Sequence, residues 1–580
     1  MIKSKTLSRR QADKTCQNCK AKFVIEPEDF EFYKKIGVPA PTFCQECRMV
    51  RRWSFRDGRM LYKRKIENFD KEVFSSIPPN SPFKVYHSDY WWSDKMDAMK
   101  YGREYNFSRP FFVQIKELMH EVGLPHMANI KIVNSPYCGN VSYLKNCYWV
   151  FNTGMSENCA YGIDVIKCRD SYDLIKTNNS ELCYELFDCD KCYQVFFSNE
   201  CKESSNIWFS KNLVDCHNCF GCVNLRHKKY HIFNKSHTKE EYLKKIKELG
   251  LGSCKNISEL KEKAKKFWLG FPNKFMYGNK NVDVLGNYLN NCKNAKNCFL
   301  SRDLEDCSHC QMILFAPSKD CYDITIAGGE LCYELSIGGG YKLKFCWLMP
   351  PKDLKNLDFG LFDLEYTVLA LDSSNLFACV GLRHKKYCIL NKQYTKEEYN
   401  KLVPKIKKHM NDMPYTDKKG RVYKYGEFFP IELSPFAYNE TIANEYFPLT
   451  KEQALERGYN WYDKPKNEYK PTIKAKDLPD NIRDVDDTVL KEIIECDSKH
   501  CAGSGVFRII PQELKFYKKM NLPLPRLCPD CRHRERIKQR NPLKLWKRKC
   551  MKCGKEIQTT YSPDRKEIVY CESCYNKEVG

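Results

Sequence analysis

The chain has 580 residues, of which 42% are hydrophobic and 13% aromatic, and this excludes a disordered protein and allows several folded domains. Lysine and arginine (97) exceed aspartate and glutamate (73), giving a formal charge of +24. That excess favours a polyanionic partner such as nucleic acid, although a soluble protein from a lysine-rich proteome has the same balance. No run approaches the ~18 apolar residues of a membrane span.

Cysteine is over-represented, at 33 residues. Secreted proteins use such counts for disulfides, whereas proteins of the reducing cytosol use them to bind metal. The polar N-terminus, MIKSKTLSRRQADK, lacks the apolar core of a signal peptide. We therefore predict a cytoplasmic protein with reduced cysteines, some of which bind zinc.

The two ends of the chain are copies of each other. At a constant shift of 484 residues, FVIEPEDFEFYKKIGVPAPTFCQEC from Phe23 falls on FRIIPQELKFYKKMNLPLPRLCPDC from Phe507. Each copy carries CxxC pairs with the spacing of metal ligands. The pattern predicts a central body with zinc modules at both ends.

The first module contains Cys16-x-x-Cys19 and Cys44-x-x-Cys47, a spacing typical of a zinc ribbon or treble clef. Four thiolates close a tetrahedral structural site with no open position for water. Such a small module needs the ion to fold, since structural zinc supplies ~10–16 kcal/mol. Unmetallated thiols are the alternative. The basic run after Cys47, RMVRRWSFRDGRMLYKRK, is predicted to be helical.

Residues 65–90 fall, under the same shift, on the last ribbon of the chain, but the four ligand positions hold other residues. We predict a ribbon that has lost its metal, in which His87 is structural rather than a ligand. These positions are Ile66, Phe69, His87 and Tyr90, which replace Cys550, Cys553, Cys571 and Cys574. An amphipathic helix follows, with Phe111, Phe112, Ile115 and Leu118 on its apolar face.

The cysteine-rich middle repeats an aromatic or apolar residue every 12 positions from Tyr148 to Ile232. Short strands separated by polar residues at this spacing predict a β-solenoid in which one repeat is half a coil, with ~24 residues per full coil. A second block repeats the pattern at spacings of 11 to 14 from Cys298. Both blocks end alike, in FGCVNLRHKKYHIFNKSHTKEEY and FACVGLRHKKYCILNKQYTKEEY, and a basic helix capped by Thr238 or Thr395 follows each.

The central cysteines are interpreted mainly as buried thiols rather than ligands. Where the two block ends are aligned, Cys219 corresponds to Leu376 and His231 to Cys388, and leucine cannot replace a zinc ligand. Free cysteine packs as a small hydrophobe. Additional metal and a redox role stay as alternatives. The RHKK runs either contact phosphate or keep an edge strand soluble.

The C-terminal module has two predicted zinc sites. Cys528 and Cys531 pair with an irregular knuckle, ECDSKHC, in which Cys496 and Cys501 are the expected ligands and His500 the substitute. The second site is a ribbon that contains two regular CxxC pairs. These are Cys550, Cys553, Cys571 and Cys574. Between the sites, Trp546 lies among cations and is expected either to stack on a base or to lie flat against a helix.

These features predict a multidomain, mainly β protein with about three structural Zn²⁺ sites. The predicted segments are a zinc-ribbon or treble-clef module (1–64), a metal-free ribbon with a helix (65–136), solenoid block 1 (137–236), a helical insert (237–285), solenoid block 2 (286–392), a helix with an irregular aromatic segment (393–461), a linker (462–490) and a double zinc-ribbon module (491–580).

Four stretches carry a resemblance to a family: FEFYKKIGVPAPTFCQECRMVRRW, WWSDKMDAMKYGREYNFSRPFF, the LRHKKY…TKEEY repeats, and RKCMKCGKEIQTTYSPDRKEIVYCESCY. They resemble a family of uncharacterised bacterial proteins with zinc-ribbon (treble-clef-like) domains. The resemblance implies zinc binding and no established activity, and the chain departs from it at the ECDSKHC knuckle.

We predict a non-enzymatic zinc protein that binds nucleic acid, RNA or a ribonucleoprotein, through basic segments beside the zinc knuckles. One alternative is a protein-interaction scaffold with purely structural zinc. Another is a solenoid enzyme acting on a carbohydrate, although no nucleophile elbow, phosphate loop or open zinc site is present. The predicted phosphate contacts are Arg48, Arg51, Arg52, Arg56, Arg532, Arg534, Arg536, Lys547 and Arg548.

Overall fold

A computed structural model describes residues 12–314, 317–348, 360–465 and 468–579. The chain forms two compact units, each built from segments that are distant in sequence. We call them the N unit (Met1–Ala128 with Met276–Tyr462) and the C unit (Asn129–Phe275 with Asp463–Gly580). None of the described helices is both long enough and apolar enough to cross a bilayer.

The fold is mainly β, and most helices lie outside the solenoid blocks. In chain order the described helices are α1 (Pro27–Ile36), α2 (Gln45–Trp53), α3 (Ser88–Trp91), α4 (Phe111–Val122), α5 (Lys239–Glu248), α6 (Cys254–Trp268), α7 (Lys396–Asp412), α8 (Ile442–Tyr446), α9 (Lys451–Glu456), α10 (Pro511–Met520), α11 (Pro529–Ile537) and α12 (Glu572–Val579).

The centre of the chain is a β-solenoid of about 21 turns, which confirms the predicted fold class. The predicted coil length of ~24 residues is wrong. Tyr172 pairs in parallel with Tyr184, and Tyr184 with Phe196, so one complete coil of block 1 takes only 12 residues. The sequence repeat of 12 is therefore a whole coil rather than half of one.

The short coil is possible because the backbone turns at every third residue. From Asn140 to Phe233 every third residue has a positive φ, so each 12-residue coil has four left-handed corners. Asparagine and aspartate occupy many of these corners, since their short polar side chains tolerate this conformation best after glycine. Asn134, Asn146 and Asn158 also hydrogen-bond from one coil to the next.

The strands of the two blocks form parallel ladders, and each ladder is closed by a short antiparallel strand. In block 1 the strands are Asn129–Val133, Val141–Lys145, Tyr172–Ile175, Tyr184–Phe187, Tyr193–Asn199, Ser205–Trp208, His217–Phe220, Lys229–Ile232 and the closing Lys235–Ser236. In block 2 they are Gly278–Asn279, Val282–Asn290, Lys293–Arg302, Leu304–Ser308, Ser318–Lys319, Tyr322–Glu330, Tyr333–Lys344, Phe362–Glu365, Ser374–Phe377, Lys386–Ile389 and the closing Lys392–Gln393.

The interior of each coil holds one side chain per corner, and many of these are cysteine or serine, which explains the cysteine content. Ser171 Oγ accepts a hydrogen bond from the Cys183 amide, and Cys189 Sγ accepts one from the Cys201 amide in the same way. Cys192 Sγ also donates to the carbonyl of Cys201. Cysteine and serine are therefore alternative fillers of a narrow interior that must also satisfy backbone groups.

The central thiols are buried, and for many of them burial opposes ionisation. Burial raises the pKa of Cys168 to about 12 and that of Cys292 to about 11, which disfavours the thiolate that binds metal. Among the described residues, no central cysteine belongs to a cluster that could hold an ion.

Several smaller sheets complete the units. In the N unit the pairs are Ala12–Thr15 with Lys22–Ile25, Tyr62–Ile66 with Phe69–Ser75, Val85–Tyr86 with Leu124–Pro125, and Tyr415–Thr416 with Val422–Tyr423. In the C unit they are Asn273–Lys274 with Val569–Tyr570, Ile473–Lys474 with Ile494–Glu495 and Val506–Phe507, and Trp546–Lys549 with Glu556–Thr559.

Three local predictions are settled by these elements. The basic run after Cys47 is helical only as far as Trp53, and its last residues form the strand Tyr62–Ile66. The segment 462–490, predicted as a linker, buries Ala475 and Ile482 within the C unit. The caps at Thr238 and Thr395 are confirmed, each with a reciprocal glutamate bond.

Substitutions at Cys189 test the proposed role of the interior thiols. Cys189→Ser keeps the acceptor for the Cys201 amide, so we expect the free energy of unfolding to change by less than about 1 kcal/mol. Cys189→Leu adds volume to a filled interior and should cost about 1–3 kcal/mol. Thermal unfolding of both variants beside the unmodified chain measures this. Equal destabilisation by serine and leucine would contradict the interpretation.

Candidate metal centres and their docking surfaces

Three groups of four cysteines have the geometry of closed zinc sites. Within each group the four sulfurs lie within 4.8 Å of one another, close enough to surround one ion. Site 1 contains Cys16, Cys19, Cys44 and Cys47; site 2 contains Cys496, Cys501, Cys528 and Cys531; site 3 contains Cys550, Cys553, Cys571 and Cys574. The predicted number of about three structural zinc ions is therefore confirmed by the donor sets.

In all three sites the second pair of cysteines lies at the start of a helix. The first knuckle of site 1 follows the strand Ala12–Thr15, and Cys44 caps the N-terminus of α2, so its second knuckle begins a helix. A helix N-terminus stabilises thiolates through its free amides and its dipole. Amides also point at sulfur elsewhere: Cys528 N lies 3.2 Å from Cys496 Sγ, and Cys571 N lies 3.2 Å from Cys550 Sγ.

The irregular knuckle of site 2 uses Cys501 rather than His500. His500 is exposed and stands outside the four-cysteine group, while its backbone carbonyl accepts a 2.6 Å hydrogen bond from Arg534. Cys501 Sγ lies 3.5 Å from Cys528 Sγ. The four residues between Cys496 and Cys501 therefore form a loop over the site without supplying a ligand.

The metal-free ribbon keeps the backbone of its zinc-bearing copy. Its strand Val85–Tyr86 falls on Val569–Tyr570 under the shift of 484, and α3 falls on the start of α12. Rings take the place of the ion. Phe69 stacks on His87 with centroids 5.1 Å apart, and His87 stacks on His126 at 4.7 Å.

The helix that carries the second knuckle of site 1 is docked on block 2 by buried ion pairs. Arg48 contacts Asp323 at 2.8 Å, and Arg52 contacts both Asp323 and Glu334 at 3.1 and 3.0 Å. Arg51 bridges Glu334 and Glu427 at 2.9 and 3.0 Å. Every charged side chain of this cluster is at most 5% exposed, so three cations and three anions neutralise one another away from water.

Aromatic packing beside the ion pairs fixes the register of docking. Phe32 of α1 stacks on Tyr322 with centroids 3.9 Å apart and planes 9° apart. Tyr33 meets Tyr333 edge-on at 5.5 Å. Both rings of α1 therefore pack against the solenoid.

The C unit repeats this docking with block 1. Arg532 contacts Asp173 at 3.1 Å, and Arg536 contacts the same carboxylate at 2.8 Å. Arg532 and Arg536 correspond to Arg48 and Arg52 under the shift of 484. The aromatic pairs also recur. They are Phe516 with Tyr172, at 4.5 Å, and Tyr517 with Tyr184, at 5.5 Å.

The second cluster is also charge-balanced. Glu513 joins it through Arg532 at 3.2 Å, and Lys261 of α6 pairs with Glu185. Burial would raise the pKa of Glu185, but Lys261 and the nearby arginines hold it below its ordinary value. In the N unit, burial raises the pKa of Glu334 against the opposing pull of Arg51 and Arg52.

Most predicted phosphate contacts are therefore unavailable at the surface, which corrects that part of the sequence interpretation. Six arginines are buried, and five of these occupy the two docking clusters. The buried six are Arg48, Arg51, Arg52, Arg56, Arg532 and Arg536. Arg534 and Arg548 are half-buried and donate to the carbonyls of His500 and Ser562, whereas Lys547 is exposed.

The sequence contained a signal for the docking carboxylates that the composition-based interpretation overlooked. Each block contains two tyrosines that are followed directly by an acidic residue, and the two tyrosine–acid pairs of a block are one coil apart. The pairs are Tyr172–Asp173, Tyr184–Glu185, Tyr322–Asp323 and Tyr333–Glu334. The acid occupies a left-handed corner in each pair, so it projects from the coil beside the aromatic ring.

Comparison with known proteins adds little. No protein-family model matches the chain, and no curated protein matches it. Among solved structures, one match is titled "Crystal structure of putative acetyltransferase from Desulfovibrio desulfuricans G20", with 9% identity and a TM-score of 0.10. The alignment covers 51% of this chain and 86% of that one, and at this score it supports no inference.

Elemental analysis and substitution test the ligand sets. We expect three tightly held zinc ions per chain and the loss of one ion in Cys501→Ser, because serine does not replace a thiolate ligand. His500→Ala should retain all three ions, because that side chain stands outside the group. Inductively coupled plasma mass spectrometry of the purified variants gives the count. Loss of zinc from the His500 variant would contradict the assignment.

The docking clusters predict a large cost for removing one charge. Arg52→Ala leaves Asp323 and Glu334 buried with one cation fewer, and should destabilise the N unit by about 3–5 kcal/mol. The matched control is Lys191→Ala, which removes an ion pair whose side chains are 59% and 52% exposed. That change should cost no more than about 1 kcal/mol. Limited proteolysis and thermal unfolding compare the two, and similar effects would argue against docking by buried ions.

Proposed function

We propose that this protein is a non-enzymatic, zinc-stabilised solenoid that binds nucleic acid, either as RNA or as a ribonucleoprotein. The contacts are made by lysines on the elements that follow each solenoid block. The proposal keeps the polyanionic partner indicated by charge but moves the contact surface away from the knuckle arginines. It also supposes a reducing compartment such as the cytoplasm, since twelve ligand cysteines must stay reduced.

The main support for this function is that the excess positive charge is concentrated outside the docking clusters. The docking clusters contain equal numbers of cations and anions, so they do not reduce the formal charge of +24. Residues 226–268 hold 13 lysines and arginines against 5 acids, and residues 383–412 hold 9 against 3. More than half of the excess therefore falls in two short, equivalent segments.

The exposed lysines of these segments are available for phosphate contact. Two triads of lysines in the helices are exposed, and the described part of the chain provides no ion pair for them. The triads are Lys239, Lys244 and Lys247 in α5, and Lys396, Lys401 and Lys405 in α7. Lysine contacts phosphate as a point charge, so binding of this kind should be independent of sequence and sensitive to salt.

A direct binding experiment tests the proposal. Fluorescence anisotropy with 20-nucleotide RNA and DNA, single-stranded and duplex, should show binding at low salt that weakens steeply as salt increases. Reversing either triad to glutamate should lower the affinity at least about tenfold and reduce the salt dependence. The zinc content of each variant confirms that the modules remain folded.

Site 3 supplies the matched control. Its knuckle also exposes Lys547, Lys549 and Lys555, but four thiolates around one Zn²⁺ carry two negative charges that these lysines offset. Reversing this triad should change the affinity by less than about twofold. No binding at low salt, or an equal loss in the control, would overturn the proposal.

The second candidate is a protein-interaction scaffold with purely structural zinc. It is favoured by the use of both zinc-bearing helices, α2 and α11, for internal docking. Co-purification of a stoichiometric protein partner that survives nuclease treatment would support it over nucleic-acid binding.

A further inference from the structure

The three zinc sites differ in how far their sulfurs are exposed to solvent. In site 1 Cys19 is exposed, and in site 3 Cys553 is exposed, while the remaining ligands of both sites are buried or half-buried. In site 2 three ligands are buried and Cys501 is half-buried. Two sites therefore present a thiolate to solvent and one does not.

In sites 1 and 3 a second sulfur lies beside the exposed one, at a distance similar to that between Cys501 and Cys528 in site 2, so the sites differ in exposure rather than in sulfur spacing. Cys19 Sγ lies 3.7 Å from Cys44 Sγ, and Cys553 Sγ lies 3.7 Å from Cys571 Sγ. Each pair joins the exposed knuckle to the cysteine that precedes a helix. A disulfide can form within such a pair after a small movement, because the exposed knuckle is a short hairpin turn.

We propose that Cys19 and Cys553 are oxidative modification sites for hydroperoxides, and that peroxide releases two of the three zinc ions while site 2 keeps its ion. Thiolate reactivity follows exposure and ionisation, and zinc ligation keeps these sulfurs ionised. The substrate class is a small hydroperoxide, including hydrogen peroxide.

The chemistry balances in two steps. The exposed thiolate attacks one peroxide oxygen, the O–O bond breaks, and a sulfenic acid forms as hydroxide or alkoxide leaves. The neighbouring thiolate then attacks the sulfenic sulfur, an S–S bond forms, and hydroxide leaves. Two thiolates lose two electrons, which reduce the peroxide. The four cysteines would then offer a zinc ion only two thiolate ligands, too few to hold it in a closed site.

Site 2 is shielded from peroxide by the loop between Cys496 and Cys501, which also makes its first knuckle irregular. Arg534 holds the carbonyl of His500 at 2.6 Å, and the amide of Ala502 donates to Cys531 Sγ at 3.2 Å. Peroxide therefore meets a half-buried sulfur in a restrained loop.

The test uses the full-length zinc-loaded chain. Zinc release during titration with hydrogen peroxide, followed with a chromophoric chelator, should stop at two ions per chain. Differential alkylation and peptide mass spectrometry should find Cys19–Cys44 and Cys553–Cys571 disulfides and reduced cysteines in site 2. Release of all three ions together, release from site 2 first, or no release would overturn the proposal.

Two variants separate exposure from general loss of structure. C19H and C553H replace each exposed sulfur by a nitrogen ligand, so a Cys₃His site can still close around zinc. Each should hold three ions and release only one under peroxide, and the double variant should release none. If a histidine variant fails to bind zinc, the site-resolved alkylation of the unmodified chain still decides the question. Unchanged release from variants that retain three ions would also overturn the proposal.

Discussion

The arrangement of each unit depends on burying arginine against carboxylate beside a zinc knuckle. A buried ion pair is weak evidence for net stability, because desolvation offsets much of the attraction, but removal of one partner is costly. Arg52 can dock only where Asp323 and Glu334 receive it, so the cluster specifies a position more than it adds stability. Zinc fixes the helix that presents the arginines, and the ion pairs fix that helix on the solenoid.

The chain uses this docking arrangement twice, and each terminal zinc module docks on the solenoid block that is farther from it in sequence. The N-terminal module docks on block 2 and the C-terminal module docks on block 1, so each unit is assembled from distant segments. The repeated contacts include the same two arginine positions and the same two pairs of aromatic rings. This duplication supplies an internal comparison, since features present in both units belong to the docking architecture. Site 3 has no such partner, because its copy in the N unit contains stacked rings instead of an ion.

The solenoid interior explains the cysteine count without further metal. A coil of 12 residues with four corners turns one side chain per corner inward, and the cysteine and serine side chains among them also satisfy backbone amides and carbonyls. Serine does this through its hydroxyl, and cysteine does it through a weaker S–H donor with greater apolar character. The 33 cysteines therefore divide into twelve in ligand groups and a larger set that mainly fills coils.

The sequence by itself determined the ligand sets, the two capped helices and the repeat of 12, because each depends on residues close together or on a fixed spacing. It did not determine that 12 residues make a whole coil, since the left-handed corner at every third residue is a backbone property that the strand-like segments obscured. Nor did it determine that Arg48, Arg52 and Arg532 are buried, because a basic run in a sequence suggests solvent-exposed side chains. Only the tertiary structure brings Asp173 and Asp323 to those arginines, across 359 and 275 residues of chain. The repeated tyrosine–acid pairs mark the carboxylates in the sequence, but which arginine each carboxylate meets is decided only when distant segments pack together.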